Sequence, residues 1–357
     1  MKIQHRKSEH LRIVSEEDVE HSGTTLLECV KLIHQALPEI DLDDINLESQ
    51  FFGKKLKAPL MITSMTGGAE LAGDMNRAMA EIASDYGIAF AVGSQRVMIE
   101  HPEVKSDFAV RRWIPDGVLL GNIGAVQLEE YPPEIIENLI EDIEADGICI
   151  HLNPAQEIVQ DEGHRRFRGL LDKIAFFVDK LDGKVLVKET GAGLSPEVLN
   201  KLNKIGVSYI DISGAGGTSW TKVEKYRASD YRLRRSGETF SDWGIPTAFS
   251  LIAARKIFGE KGCIISSGGI YTGLDAARSI AAGADIAGFA RSVLMPFLEG
   301  GIEKAIEFIE CLIHELKVSM LLTGATDATK LHNIPRIYTG ELLQWLEAYG
   351  WTDKKDL

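Results

Sequence analysis

Eight short, nearly continuous apolar runs recur along this chain, most of them separated by segments with helical patterning. That alternation leaves few folds open. The runs cover residues 58–65, 88–93, 118–124, 147–152, 184–190, 209–214, 263–269 and 286–291, with helical patterns such as 74–86, 133–145 and 274–282 between them. Runs apolar on both faces suit a parallel sheet covered by helices. Eight strand–helix alternations predict an α/β protein, a (β/α)8 TIM barrel with N-terminal and C-terminal helical extensions. An open doubly wound sheet would need fewer strands and an obvious crossover. The 357 residues, 45% of them apolar, are ample for one such core. They read as a single domain: an N-terminal arm and helix over 1–50, the barrel over 51–315 and C-terminal helices over 316–357. One long polar connection, 222–243, carries Arg232, Arg234 and Arg235 before Gly237. It reads either as a lid on the catalytic face or as a solvated excursion.

Charge and cysteine usage narrow the function classes. A net charge of −14 argues against nucleic acid or an anionic membrane as a bulk partner, although local cations can still hold a small anion. Cys29, Cys149, Cys263 and Cys311 are far apart and form no C-x-x-C pair. They suggest neither a zinc site nor a disulfide framework, but reduced core residues of a cytoplasmic protein. The first residues lack an apolar stretch suited to secretion, and no run approaches the ~18–20 apolar residues of a spanning helix.

In a parallel barrel, chemistry sits at the carboxyl ends of the strands. The fourth run closes abruptly on His151-Leu152-Asn153-Pro154-Ala155-Gln156-Glu157, an imidazole, two amides and a carboxylate leaving one strand together. Pro154 forbids further pairing there, having no N–H. Earlier ends offer Ser64-Met65-Thr66, Ser94-Gln95-Arg96 and Asn122, hydrogen-bonding partners for a planar heteroaromatic ligand. Lys188 lies inside an apolar run, a costly place for a charge. It could pair with Glu189, face an anionic ligand or reduced cofactor, or form a Schiff base. Glycine-rich turns follow the late strands, at Ser213–Trp220 and Ser266–Ile270, and the last strand ends at Ala290-Arg291. Such turns ahead of a helix start form the usual phosphate cradle of this fold. A phosphorylated cofactor across the barrel mouth, with Lys188 beneath it, is the layout of a flavin mononucleotide (FMN) barrel.

At this point the chain resembles the type 2 isopentenyl-diphosphate isomerases. The matching segments are Arg6-Lys7-Ser8-Glu9-His10, Ser64–Gly68, Gly93–Arg96, Asn122–Gly124, His151–Glu157, Lys188-Glu189, Gly214–Trp220, Asp242–Thr247 and Gly268–Arg291, in order from residue 6 to about 330. The resemblance implies interconversion of isopentenyl and dimethylallyl diphosphate on reduced FMN, with Mg²⁺ and with NADPH as reductant. It also implies a homo-oligomer, a tetramer or an octamer. Carried over by position, Ser64, Met65, Thr66, Ser94, Asn122, Lys188, Ser213 and Thr218 resemble flavin contacts, and Gly269, Ile270, Tyr271, Ala290 and Arg291 its phosphate end. Arg6, Lys7, Ser94, Gln95, Arg96, Asn153 and Gln156 resemble the substrate set; Gln156, Glu157 and His151 resemble the catalytic group, with Glu157 as the Mg²⁺ ligand.

In this reading Arg6, Lys7, Arg96 and His151 neutralise a diphosphate. The family usually carries arginine where this chain has Tyr271, a departure that bears on cofactor affinity. Two alternatives share the barrel. A 2-hydroxy-acid oxidoreductase would want a histidine base beside an arginine after a late strand, and Ser213–Trp220 contains neither. A non-catalytic flavin-binding scaffold would leave Gln156 and Glu157 dispensable.

Overall fold

The computed structural model describes residues 2–65 and 72–352. Strands β1 (Val30–Leu32), β2 (Ser49–Phe51) and β3 (Lys54–Leu56) come first. Eight more follow: β4 (Leu60–Ile62), β5 (Ala89–Ala91), β6 (Leu119–Gly124), β7 (Gly147–His151), β8 (Val185–Lys188), β9 (Tyr209–Asp211), β10 (Cys263–Ser266) and β11 (Ile286–Phe289), and β12 (Arg336–Tyr338) comes last. Strands β4 to β11 form a closed barrel in chain order, and each lies inside one of the eight apolar runs. The barrel shuts through the parallel pairing of β11 with β4, Ala287 opposite Leu60 and Phe289 opposite Ile62.

Alternation along each strand divides the core in two. Ile148, Ile150, Val185 and Val187 point outward into the layer shared with the surrounding helices. Cys149, Leu186, Met61, Leu120 and Ile265 point inward and fill the barrel axis. The β2–β3 hairpin adds Phe51 and Leu56 to that inner cluster. Phe52 stacks on the Tyr209 ring at 4.0 Å between centroids. Gly147 is needed beneath it: a Cβ there would lie 2.5 Å from Phe52 Cε1 and 2.6 Å from the Lys184 carbonyl oxygen. Gly147 and Tyr209 begin their strands, so the hairpin plugs the amino-terminal end of the barrel. Only the carboxyl-terminal end is left for a ligand.

Two expectations need correction. The terminal extensions are not purely helical: β1 pairs antiparallel with β12, Val30 opposite Tyr338 and Leu32 opposite Arg336, so a ribbon joins the two ends of the chain. Three-residue strands joined across the whole sequence leave no period to read. The 222–243 segment is not an irregular loop but two helices, Trp220–Arg227 and Tyr231–Thr239. Ser219 and Asp230 cap them through their side chains. Their buried faces hold Thr221, Glu224 and Gly237 with one apolar side chain, Val223, so apolar periodicity is weak there. Among the described residues no helix is long and apolar enough to cross a membrane, and all four cysteines are free.

Phe51 is 1% exposed, and truncating it would leave a cavity under the barrel axis. Phe51→Ala is expected to lower the unfolding free energy by about 3–5 kcal/mol, read from urea titration of the full chain. A loss under about 1 kcal/mol would mean the hairpin is not a plug.

Candidate active site

The abrupt end of β7 is a strand-to-helix turn. His151 is the last residue of the strand, Asn153 holds the N-cap position of the helix Pro154–Val159 without a side-chain cap bond, and Pro154 takes its first turn, where a missing N–H costs nothing. Gln156 and Glu157 therefore project from the first turn of a short helix into the barrel mouth. Asn153 Nδ2 donates to Gln156 Oε1 at 3.0 Å and to Glu157 Oε1 at 3.2 Å. The His164 backbone N–H donates to Glu157 Oε2 at 2.7 Å.

One cavity gathers nearly all the residues singled out from sequence. On one side it is lined by Ser64, Met65, Ser94, Arg96, Asn122, His151, Asn153, Gln156, Glu157 and Lys188. Ser213, Thr218, Gly269, Ile270, Tyr271, Ala290 and Arg291 line the other. The N-terminal helix Lys2–Glu16 lies across the mouth and contributes Arg6, Lys7, His10, Leu11 and Val14 from one face. Thr66 lies outside the described residues. Gln95 is not brought to the cavity: its amide sits in the wall, donating to the Leu139 carbonyl and accepting from the Asn122 N–H, each at 2.8 Å.

The cavity's charges shape one another. Burial, with Arg6 and Arg96 nearby, holds the Lys7 ammonium well below its usual range. Its Nζ donates to the Ser94 carbonyl at 2.7 Å. Burial pushes His151 down to about 3, and Lys188, Lys7 and Arg6 add to the effect. Its Nδ1 donates to Asn122 Oδ1 at 2.8 Å, leaving Nε2 as an acceptor. The expectation of His151 as a cation for the diphosphate is thereby corrected: it is a neutral imidazole among cations. Lys188 forms no ion pair with Glu189. Its ammonium donates to the Glu189 carbonyl oxygen, while the Glu189 carboxylate accepts from the N–H groups of Thr190, Gly191 and Ala192. Burial nevertheless raises Glu189 to about 7. Asp211, the cross-strand neighbour of Lys188, accepts from Ser267 Oγ at 2.6 Å; burial raises its carboxyl above the usual range, and the charge of Lys188 offsets only part of that.

Sequence reading missed Glu224. Its Oε1 accepts from Gln156 Nε2 and meets His10 Nε2, both at 2.9 Å, and Arg227 Nη1 lies 2.5 Å from Oε2. Burial opposes ionisation, but His10, Arg227 and Gln156 outweigh it and hold the carboxyl down at about 2. Trp220, Val223, Glu224 and Arg227 follow helical spacing, a signal hidden while the segment read as a loop.

The late-strand turns have the backbone of a phosphate cradle. A Cβ on Gly217 would lie 2.5 Å from the Gly269 nitrogen, and one on Gly268 2.1 Å from the Gly214 carbonyl oxygen. Gly268 (φ +96°) and Gly269 (φ +78°) also adopt backbone that disfavours side chains. At the end of β4, beside β11, the buried Ser64 hydroxyl has no oxygen or nitrogen partner among the described residues and only the Cys149 thiol near it. Glycine turns, an unsatisfied hydroxyl and a buried lysine fit FMN. Among the described residues no group of three or more His, Cys, Asp or Glu side chains could hold a metal ion.

Fold and site together define an FMN-barrel enzyme. Residues 151–335 match the family described as FMN-dependent dehydrogenase. Among solved structures, a mandelate oxidase variant with (S)-mandelic acid superposes with a TM-score of 0.64 at 16% identity, covering 94% of both chains. A lactate oxidase from Pediococcus acidilactici gives 0.65 at 15% identity, over 90% of this chain and 88% of the other. At such identities the likeness concerns the fold alone. The isopentenyl-diphosphate delta-isomerase of Nostoc sp. (strain PCC 7120) is 46% identical over 333 residues, 92% of this chain and 94% of the relative. Those of Pyrococcus furiosus and Methanopyrus kandleri are 44% and 40% identical, over 96% and 98% of this chain and 88% and 95% of their own lengths. The chain belongs to the isopentenyl-diphosphate delta-isomerase family.

His151 makes the fold sensitive to acid. Its folded pKa, about 3, lies below the usual 6.5, so the unfolded chain binds more protons between those values. Stability is therefore expected to fall as pH drops through that window. Urea unfolding of His151→Asn across the same range should show a shallower decline than the parent. An identical slope would mean that His151 is already charged in the folded chain.

Proposed function

We propose that this chain interconverts isopentenyl and dimethylallyl diphosphate by proton transfer on reduced FMN, using Mg²⁺. The observation that carries the reading is two anion-binding walls facing each other in one cavity. Arg96 and the Ser94 carbonyl that anchors Lys7 follow β5, while the glycine cradle follows β9 and β10 on the far side of the barrel. Between them lies the amide and carboxylate cluster of Asn153, Gln156, Glu157 and Glu224. A flavin phosphate suits one wall and a diphosphate the other.

Protonation of the terminal alkene carbon leaves positive charge at the tertiary centre, and removal of a proton from a neighbouring carbon completes the shift. Reduced FMN, when bound, supplies an electron-rich ring that stabilises that charge. Lys188 favours the anionic form of the reduced ring. Arg6, Lys7 and Arg96 grip the diphosphate, with the arginines able to bind two oxygens each. Neutral His151 can accept a hydrogen bond at Nε2. Gln156, oriented by Asn153 and by Glu224, reaches the allylic region and helps hold or relay a proton; Glu224 is a positioning residue. Glu157 would hold Mg²⁺, an ion that needs no dedicated protein cage and would neutralise charge on the diphosphate.

No net redox change accompanies the shift, so NADPH serves only to bring the flavin to its active state. Free cysteines suit a reducing cytoplasm. Assembly into a homo-oligomer, a tetramer or an octamer, belongs to the same proposal and rests on the family resemblance alone.

The reading is tested by supplying isopentenyl diphosphate, FMN, Mg²⁺ and a reductant anaerobically. Dimethylallyl diphosphate should form only with reduced flavin, and a flavin-loaded, folded protein that makes none would sink the proposal. Glu157→Gln should retain flavin while the Mg²⁺ needed for half-maximal turnover rises by about tenfold or more. Loss of flavin instead would remove Glu157 from the metal role. Lys188→Ala should move the two-electron FMN midpoint more negative by about 30 mV or more, equivalent to about tenfold in the reduction equilibrium. An unchanged potential would remove the lysine's electrostatic role.

A further inference from the structure

A carboxylate borders the phosphate end of the cavity, bound to two of its lining side chains. Tyr271, just past the Gly268-Gly269 turn, and Arg291, at the start of the helix after β11, supply the two long side chains of that end. Both bind the same oxygen of Glu20: Tyr271 Oη donates to Oε1 at 3.1 Å, and Arg291 Nη1 forms an ion pair with it. Arg291 Nε also donates to the Val14 carbonyl at 3.2 Å.

Glu20 is held there by its backbone. It bridges to Thr218, its carbonyl accepts from Lys222 Nζ, and the flanking Val19 and His21 bond to Ser219 and Gly217. That loop forms the cradle wall, since Gly217 packs against the Gly269 nitrogen. The backbone of residue 20 therefore cannot withdraw without opening the cradle, whereas its side chain, 44% exposed, is free to turn toward water.

A phosphate and this carboxylate cannot both use the full charge of one guanidinium, and they repel each other. Tyr271 sharpens the conflict: it is a neutral phenol that can donate one hydrogen bond but adds no charge.

We infer that Glu20 is an internal competitor for the cofactor's phosphate, drawing Arg291 and Tyr271 away from it, and so weakens retention of phosphorylated flavin specifically. The inference rests on the reading of this cavity as an FMN site. Phosphate-free riboflavin shares the ring and ribityl chain, so it should be indifferent to Glu20.

The test is a fluorescence titration of the flavin-depleted full chain with FMN and, separately, with riboflavin. Glu20→Gln keeps an acceptor for Arg291 and Tyr271 but removes the charge. Its FMN Kd should fall about five- to tenfold, the order expected when one charge is removed near a phosphate in a part-solvated site, with riboflavin unchanged. Tyr271→Arg should also tighten FMN alone, and by less in the Glu20→Gln background, because the new cation then has no carboxylate to offset. An FMN Kd unchanged or raised by Glu20→Gln would overturn the inference, as would equal shifts for both flavins, which would trace the effect to packing. If the parent chain bound neither flavin, the FMN reading itself would fall.

Discussion

Buried positive charge around one cavity is the constraint on which the site depends. Lys7 and Lys188 are only 4% and 5% exposed, and Arg6 stands beside them. Ammonium groups are costly to bury unless compensated. Lys188 meets Asp211 on the barrel axis, where burial raises the carboxyl and the lysine charge partly offsets it, and Glu224 compensates Arg227 and hydrogen-bonds His10 behind Gln156. Arg6 and Arg96 pair with Glu162 and Glu100 at the rim yet still line the cavity beside Lys7, which makes it a receptor for anions although the whole chain is strongly acidic. Burial, with this field added to it, excludes a proton from His151. A positive pocket, a neutral imidazole and an ionised buried carboxylate are thus one electrostatic arrangement seen from three residues.

The scaffold makes this arrangement possible by separating stability from chemistry. Apolar side chains fill the barrel axis up to the level of Cys149 and Leu186, and the β2–β3 hairpin seals the amino-terminal end. Polar groups begin where the strands end. Barrel closure then sets the two anion-binding walls opposite each other, since the strand order places β5–β6 across from β9–β10. The N-terminal helix covers the mouth and brings cations that the barrel does not itself supply. Glu20, just beyond that helix, ties the covering segment to the phosphate end through Arg291.

Much of this was legible in the sequence because the barrel strands are buried on both faces and so appear as unbroken apolar runs. The His151–Glu157 turn was legible because a proline stops a strand wherever it falls. Other features were not. Ser94, Gln95 and Arg96 are consecutive, and consecutive side chains at a strand end cannot all face one cavity; Gln95 turns into the wall to hold Asn122. Glu224 was missed because its helix buries two polar residues and only one fully apolar one, Val223, which weakens the periodicity that marks a helix. The β1–β12 ribbon joins residues some three hundred positions apart, and no local pattern encodes such a pairing. The charge state of His151 depends on Lys188, Lys7 and Arg6 converging in space, which spacing along the chain does not reveal.

The central claim is that a flavin barrel here moves a proton without net electron transfer. The most direct measurement follows product and flavin absorbance together, anaerobically in D₂O, with isopentenyl diphosphate, Mg²⁺ and FMN reduced once at the outset. The account predicts many turnovers of dimethylallyl diphosphate carrying solvent deuterium while the absorbance stays that of reduced flavin. Flavin oxidation in step with product, or product free of solvent deuterium, would contradict it.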